Sequence, residues 1–220
     1  MTRVYEGPRW TIDQFVSGFQ NNAFLVTCTR TGHSVIIDTP DSPSELLAAA
    51  RGTDVRAVLI THNHWDHLQG FDMVLEAFDV PVGIGAADAG ALRDYGRLDM
   101  LDVSDGAVVT VGELELRCIA TPGHTPGSTC FLSPPDAQGQ GHLFTGDTLF
   151  PGGPGKTGSP EAFQQVVQSI TSKLHTLPAD TVVLPGHGAA TTVGASKTEY
   201  EGFAARPHPP DLHGDILWSQ

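Results

Sequence analysis

The amino-acid sequence predicts an α/β domain built from layers of strands and helices. Strand-like and helix-like runs interleave in both halves of the 220 residues, and 40 % of the residues are apolar, enough for a packed core. Glycine (25) and proline (16) are abundant, which indicates many loops between the elements. Because no linker divides the chain, we expect one domain over residues 1–220, with an irregular tail from about residue 206.

The first half starts with two strand-like runs, at 23–28 and 34–38, and the turn between them predicts a hairpin. Residues 41–44 (DSPS) are expected to cap a short helix at 45–51. The continuous apolar run at 55–61 is typical of a buried strand. The rest of this half is expected to form a helix at 68–78, a strand at 80–84 and a helix at 86–95.

The second half repeats this alternation. A hairpin is expected around Gly112-Glu113, and the clearest helix pattern covers 160–177, where apolar residues recur at helical spacing. Loops are expected at 133–141, which is rich in Pro, Gly and Gln, and at 150–158, which is rich in Gly. Strands are expected at 107–111, 114–121, 128–132, 142–146 and 181–184.

Charge and composition restrict the partners of the protein. The net charge is −13, from 25 acidic and 12 basic residues, and no run of Lys and Arg is present, so nucleic acid is not expected to bind. We find neither a signal peptide nor a run of roughly 18 apolar residues, so no membrane contact is expected. Cys28, Cys118 and Cys130 each lie in an apolar run, which predicts buried free thiols and a cytoplasmic location. We expect a small-molecule substrate; the oligomeric state is open.

Four side chains that can bind a metal ion lie close together, where the strand at 55–61 ends. They are His62, His64, Asp66 and His67. In extended backbone, residues two apart point to the same side, so His62 and His64 can bind one ion. The chain then turns, and Asp66 with His67 can face a second ion. Such a density of imidazole and carboxylate groups is typical of zinc sites.

Three further candidates follow apolar strands, each in a loop bounded by glycine. His124 lies in TPGHTPGS, Asp147 in FTGDT and His187 in LPGHG. Glycine lets the backbone approach a ligand closely, and strand ends at one edge of a sheet converge on one place. The histidines and aspartates together are then sufficient for two ions, with one carboxylate bridging them.

This set of residues resembles the metal-binding motif of the metallo-β-lactamase superfamily. The match starts with His62-x-His64-x-Asp66-His67, continues with His124, Asp147 and His187, and extends over residues 23–188. The resemblance implies an αββα sandwich, in which two mixed sheets are flanked by helices and the metals lie where two similar halves meet. It also implies one ion held by His62, His64 and His124, a second held by Asp66, His67 and His187, and Asp147 as the bridge.

The resemblance further implies that Asp38, at the end of an early strand, orients the site; a plain turn residue is equally consistent with the sequence there. Within the family, the chain is most similar to the glyoxalase II branch. An aspartate at position 147 argues against the β-lactamases, which have Cys or another residue there. Residues 146–156 resemble a glyoxalase II segment that ends in a glutathione-binding Lys or Arg, here Lys156. Two features differ: Ala189 stands where that branch commonly has Tyr, and we expect no C-terminal helical domain, because few residues follow His187.

The resemblance implies a metal-dependent hydrolase that uses a metal-bridging hydroxide on a thioester or ester, with two zinc ions or, alternatively, iron as cofactor. Asp66 is expected to relay a proton to the leaving group, and Lys156 to bind the substrate. Two alternatives stay open: a mononuclear-iron persulfide dioxygenase, since imidazole suits both metals, and a lactonase or β-lactamase-like hydrolase.

Several other histidines are expected to play no part in this chemistry. Those in turns or at a helix end are expected to be exposed to solvent: His33, His142 and His175. The tail contains His208, Asp211, His213 and Asp215, but its prolines favour extended chain over a third metal site. Trp65 either forms a wall of the pocket or simply packs.

Overall fold

The computed structural model, which describes residues 1–135 and 140–219, contains two six-stranded sheets that pack against each other. The first sheet comprises, in spatial order, β1 (Thr2–Glu6), β2 (Trp10–Ser17), β3 (Asn21–Cys28), β4 (His33–Ile37), β5 (Asp54–Ile60) and β6 (Val82–Ile84). Strands β1 to β4 pair in antiparallel fashion, whereas β4, β5 and β6 run parallel. The sheet is therefore mixed.

The second sheet is mixed as well. It comprises, in spatial order, β14 (Thr191–Thr192), β13 (Val182–Pro185), β10 (His142–Gly146), β9 (Thr129–Ser133), β8 (Leu114–Ala120) and β7 (Val108–Val111). Only β10 and β13 are parallel among its described pairs. A separate small hairpin joins β11 (Leu149–Phe150) to β12 (Gly153–Pro154). Because β10 and β13 are parallel, the loops that follow them leave the sheet at the same edge.

Helices cover the outer face of each sheet. Buried side chains of α1 (Ser44–Ala50), α2 (Phe71–Ala77) and the 3₁₀-helix Ala89–Tyr95 form a core with the first sheet. Those of α3 (Pro160–Ser169), the π-helical turn Ile170–Leu174 and α4 (Val193–Ala204) form a core with the second. A third core lies between the sheets, where the rings of Phe24 and Phe144 are 5.1 Å apart. The order of layers is αββα, which confirms the predicted fold class.

Burial follows from this layering. Strand β3 is buried along almost its whole length because helices cover one of its faces and the second sheet covers the other. Strand β1, at the edge, is largely exposed. The predicted hairpins β3–β4 and β7–β8 are confirmed. The three cysteines are buried and free, also as predicted.

Several predicted helices are shorter or wound differently. The helix predicted at 68–78 is α2, preceded by the 3₁₀-helix Trp65–His67, and the helix predicted at 86–95 is a 3₁₀-helix. The helix predicted at 160–177 is α-helical only to Ser169 and then forms a π-helical turn. Residues 41–44 do not cap α1 through a side chain, because Pro43 occupies the capping position.

Elements at both ends of the chain escaped prediction. Strands β1 and β2 precede the first predicted strand, and β14 and α4 follow the last one. Helix α4 lacks a clear apolar stripe and contains Gly194 and Gly202, so its sequence carries a weak helical signal. The predicted glycine-rich loop at 150–158 contains the small β11–β12 hairpin. Part of the predicted loop at 133–141, residues 136–139, lies outside the described residues.

Two exposure predictions were wrong. His142 and His175 are buried; the ring of His142 packs against Tyr5, and Nε2 of His175 lies 3.1 Å from the Ser196 hydroxyl. His33 is partly buried. Over the ranges that the structure describes, no helix is both long and apolar enough to span a membrane.

The tail from residue 206 contains no helix or strand up to residue 219, yet it is not detached. Ile216 and Trp218 are buried in the core beside α4. The Trp218 ring packs edge-on against Tyr200 and Phe203. Irregular backbone and firm packing therefore coexist in this segment.

Candidate metal centre

The seven residues that the sequence predicts as ligands lie together at one edge of the sandwich. Each follows a strand: His62 comes after β5, and His124, Asp147 and His187 come after β8, β10 and β13. Because β5 belongs to the first sheet and the other three strands to the second, the site is assembled between the two sheets. Their side chains form two groups, His62, His64 and His124 with Asp147, and Asp66, His67 and His187.

The first group joins three imidazoles to the Asp147 carboxylate. One ligand atom from each of its members, Asp147 included, lies within 4.8 Å of the others. His124 Nε2 and His64 Nδ1 are 3.0 Å apart, and the His62 and His64 rings are 4.7 Å apart. His62 is buried, whereas His64 is exposed. The group therefore opens to solvent on the His64 side.

The second group adds a carboxylate to two imidazoles. His187 Nε2 lies 3.2 Å from Asp66 Oδ2, and His67 Nε2 lies 3.9 Å from the same oxygen. The 3₁₀-helix Trp65–His67 turns the chain here and brings ligand atoms of Asp66 and His67 close to His187. The His67 ring also lies 4.3 Å from the His62 ring, so the two groups adjoin.

Asp147 lies between the two groups. Its Oδ2 is 3.6 Å from His124 Nε2, in the first group, and 3.6 Å from His187 Nε2, in the second. Its Oδ1 is 3.4 Å from His67 Nε2. One carboxylate can therefore reach ligand positions on both sides.

The hydrogen-bond partners of four histidines determine which ring nitrogen is available. In each, Nδ1 lies against an oxygen that can only accept, so Nδ1 carries a proton and Nε2 is the nitrogen that can bind a metal ion. Thr61 Oγ1 counts among these oxygens because it already donates to Asp38. The acceptors are Thr61 Oγ1 for His62 (3.1 Å), Asp38 Oδ2 for His67 (2.9 Å), the Lys156 carbonyl for His124 (2.8 Å) and the Phe19 carbonyl for His187 (3.2 Å).

Three polar atoms at the centre of the site have no hydrogen-bond partner among the described residues. They are His62 Nε2, His67 Nε2 and Asp147 Oδ1, and all are buried. A buried polar atom without a partner costs roughly 1–3 kcal/mol. These atoms are imidazole nitrogens and a carboxylate oxygen, and coordination of a metal ion would satisfy them. The set of donor atoms fits a divalent transition metal.

Comparison with known proteins identifies the family. Residues 16–187 match the sequence profile of the metallo-β-lactamase superfamily, and they include all seven candidate ligands. The chain belongs to the metallo-β-lactamase superfamily. Its membership implies a divalent metal at this site.

Individual relatives of this superfamily member extend the comparison. A hydroxyacylglutathione hydrolase of Cereibacter sphaeroides is 36 % identical over 177 residues, which cover 78 % of this chain and 64 % of that enzyme. The chain thus spans less than two thirds of that relative. A structure described as TTHA1623 in a di-iron-bound form is 32 % identical, with a TM-score of 0.67, and the match covers 84 % of this chain and 96 % of that one. ETHE1 from Myxococcus xanthus is 26 % identical, with a TM-score of 0.69 and coverage of 84 % and 81 %.

The carboxylates of this site favour positive charge. Burial lowers the pKa of His67, but Asp38 and Asp147 outweigh burial and raise it to about 10. Burial also lowers the pKa of His62 and of His124, and there Asp147 compensates only in part. Burial raises the pKa of Asp147, but the contact with His67 and its charge bring it well below its usual range. Without an ion, the site holds a proton at His67; a divalent cation can meet the same electrostatic demand.

Asp38 contacts the site as the resemblance implies. Its Oδ2 accepts hydrogen bonds from His67 Nδ1 (2.9 Å) and the Thr61 hydroxyl (2.8 Å), and its Oδ1 accepts one from the Thr61 amide (2.8 Å). Its backbone has a φ of 57°, an uncommon conformation for a residue other than glycine. The local strain is consistent with a side chain that must point into the site.

Two asparagines at the start of β3 escaped prediction. Asn21 Nδ2 donates to the Asp66 carboxylate (2.9 Å) and lies 3.4 Å from His187 Nε2. Asn22 Nδ2 donates to the carbonyls of Pro185 (2.9 Å) and Gly188 (3.0 Å) and so holds the His187 loop. Both are buried. Two adjacent amides at the start of an apolar run were the available signal.

Glycines are required where the ligand loops approach each other. A Cβ on Gly186 would stand 2.6 Å from the His67 ring and would overlap Asp147. Gly146 has a φ of 48°, and a Cβ there would overlap Thr61. The glycines before His187 and Asp147 therefore permit the close approach of the loops that the sequence predicts.

Lys156 lies beside the site, but its side chain forms no ion pair with the candidate ligands. It lines a cavity of 260 Å³ together with His124, Asp147, Pro151, Asp215 and Leu217, among others. Its side chain is exposed, and its backbone carbonyl accepts from His124 Nδ1. Trp65 is 65 % exposed, so it does not pack in the core.

Proposed function

We propose that this protein is a binuclear metallo-hydrolase that cleaves a thioester or ester, as the name hydroxyacylglutathione hydrolase describes for its relatives. The observation that carries the proposal is the position of Asp147, whose Oδ2 is 3.6 Å from a histidine of each group. Charge balance supports two ions, because the carboxylates of Asp38, Asp66 and Asp147 place three negative charges around neutral imidazoles. The alternative with one iron leaves the aimed donors of one group unused.

Two bound divalent ions would supply the nucleophile by lowering the pKa of water to roughly 7, and one would polarise the substrate carbonyl. We propose zinc at both positions. Iron is the alternative, because imidazole suits both metals and one similar structure is described as di-iron-bound.

The residues of the chain would orient the ions and manage the proton. Asp66 Oδ2 accepts from Asn21 Nδ2 at 2.9 Å, and the Asp66 side chain is 27 % exposed, so it can exchange a proton with the solvent side of the site. We assign Asp66 as the proton relay to the leaving group. A thiol has a pKa of roughly 8.5, so a thiolate can depart without this proton, whereas an amide nitrogen cannot.

The cavity beside the site sets the substrate class. Its 260 Å³ accommodates a small molecule, with Lys156 available for an anionic group. With a net charge of −13, the protein is a poor partner for nucleic acid. The three free, buried thiols fit a reducing cytoplasm, which we propose as its location.

Kinetics with matched substrates test the proposed function. We expect the zinc-loaded protein to hydrolyse S-lactoylglutathione with a kcat/KM far above that for a lactam such as nitrocefin. Comparable values would contradict the thioesterase assignment. Metal analysis of protein purified without added metal, combined with oxygen uptake on glutathione persulfide, tests the alternative: one iron per chain with oxygen consumption would establish a dioxygenase instead.

A further inference from the structure

The cavity beside the candidate metal centre has one wall made by the irregular segment 214–218. Asp215 and Leu217 line it together with Lys156. The segment is anchored next to them: the Trp218 amide donates to the Gly152 carbonyl at 2.7 Å, and the Thr157 amide donates to the Gly214 carbonyl at 3.0 Å. A chain held on both sides of Asp215 can present that carboxylate at a defined position.

Asp215 and Lys156 are opposite charges in one cavity, and neither forms an ion pair with any described residue. Both are exposed, so each is free to bind a ligand. A ligand with a carboxylate alone would meet Lys156 but would be repelled by Asp215 if placed near it. A ligand with a carboxylate and an ammonium group satisfies both.

We propose that segment 214–218 forms the specificity wall of the substrate pocket, and that Asp215 binds an ammonium group on the thiol half of the substrate while Lys156 binds a carboxylate. This inference rests on the proposed function, since it names the substrate that the same site would cleave.

Binding of S-methylglutathione, which has an ammonium group, and of its N-acetyl derivative, which lacks it, tests the proposal. In calorimetry with the zinc-loaded protein, we expect Asp215→Asn to raise Kd for S-methylglutathione about tenfold and not to raise Kd for the N-acetyl derivative. Asp211→Asn, in the irregular tail but outside both segment 214–218 and the cavity, is the matched control and should change neither value.

The outcomes separate this inference from the proposed function. If neither ligand binds, or if Asp215→Asn changes both Kd values equally or changes neither, Asp215 does not bind an ammonium group. This conclusion holds whether or not thioesters are hydrolysed. If the variant discriminates between the ligands while no thioester is hydrolysed, the pocket assignment stands and the thioesterase proposal is wrong.

A second inference concerns Asp88, which is 1 % exposed and has no cationic partner among the described residues. Its Oδ2 accepts from the Asn63 amide (3.1 Å) and the Thr125 hydroxyl (2.6 Å), and its Oδ1 accepts from the Gly127 amide (2.9 Å). Asn63 stands between His62 and His64, and Thr125 follows His124. One buried carboxylate thus joins the two loops that carry the first group.

We infer that Asp88 is a positioning residue that sets the spacing of His64 and His124. None of its contacts reaches Asp66, His67 or His187. Loss of Asp88 should therefore weaken the binding of one ion selectively. A general loss of protein stability would instead weaken the binding of both ions.

Titration of metal-free protein with Co²⁺ against a chelator, followed by visible absorption, tests this role. We expect Asp88→Asn to weaken one binding step about 10- to 100-fold, the range for residues that orient metal ligands, and to spare the step that Asp38→Asn weakens. Thr125→Ser, which keeps the hydroxyl, should behave like the wild type. If Asp88→Asn does not fold, Thr125→Val should show the same selectivity with a smaller effect. Equal weakening of both steps, or weakening of the step that depends on Asp38, would overturn the inference.

Discussion

The two groups of candidate ligands differ in charge and in the atoms that hold them. His62, His64 and His124 are all imidazoles, and His62 and His124 are supported by neutral oxygens, a hydroxyl and a carbonyl. The second group contains the Asp66 carboxylate, and a second carboxylate, Asp38, stands behind His67.

This difference predicts different roles for the two bound ions. Anionic ligands and carboxylate-supported histidines donate more charge to an ion and hold it more tightly. Neutral ligands leave an ion more electrophilic. We therefore expect the second group to bind its ion more tightly and the first, whose His124 lines the substrate cavity, to act on the carbonyl.

Removal of the Asp147 charge should have the largest effect of these substitutions, because it acts on both groups of candidate ligands. We expect Asp147→Asn to weaken the binding of both ions and to reduce the rate of hydrolysis by several orders of magnitude, because this carboxylate faces both groups. Asp66→Asn, which alters the second group alone, is the comparison. Wild-type turnover with two ions retained in Asp147→Asn would show that Asp147 is not the bridge.

Asp38→Asn should sharpen the comparison. The amide cannot replace the charge that supports His67, so we expect a loss of about 10- to 100-fold in the affinity of one ion, measured by competition with a chelator. A variant with both affinities intact would reduce Asp38 to a turn residue, the alternative that the sequence left open.

Thr61→Val should act on the first group. It keeps the side-chain shape but removes the oxygen that accepts from His62 Nδ1, so the imidazole loses its support. We expect about a tenfold loss of affinity at the other binding step, smaller than for Asp38 because a neutral acceptor is removed. The Thr61 hydroxyl also donates to Asp38, so an effect confined to the step weakened by Asp38→Asn would contradict the assignment.

Lys156→Ala should leave both groups unchanged, because the backbone carbonyl that supports His124 remains. We expect an unaltered metal content and an increase of up to about tenfold in KM for acidic thioesters, with kcat nearly constant, the signature of uniform binding. The increase should shrink at high salt, since the side chain is exposed. An unchanged KM at low salt would show that Lys156 is an exposed lysine that does not bind the substrate.

Prediction from sequence succeeded where a pattern is local and failed where it is not. The apolar runs that became β3, β5 and β10 are clear because both faces of these strands are buried. Strand β1 was missed because it is short and largely exposed at the sheet edge, and β2 because Asp13 and Gln14 interrupt its alternation of apolar residues. His142 and His175 look like surface histidines in sequence, but the packing of distant Tyr5 and Ser196 buries them.

The sequence by itself determined the fold class, the family and the seven residues that converge, because each short motif at the end of a strand can be recognised from neighbouring residues. Only the tertiary structure decided how those residues are oriented. Asp38 reaches His67 across 29 positions, Asn21 reaches Asp66 across 45, and Asp88 reaches Thr125 across 37. Such contacts depend on which strand ends share an edge and on how closely their glycine turns pack, and no local pattern of residue types contains that information.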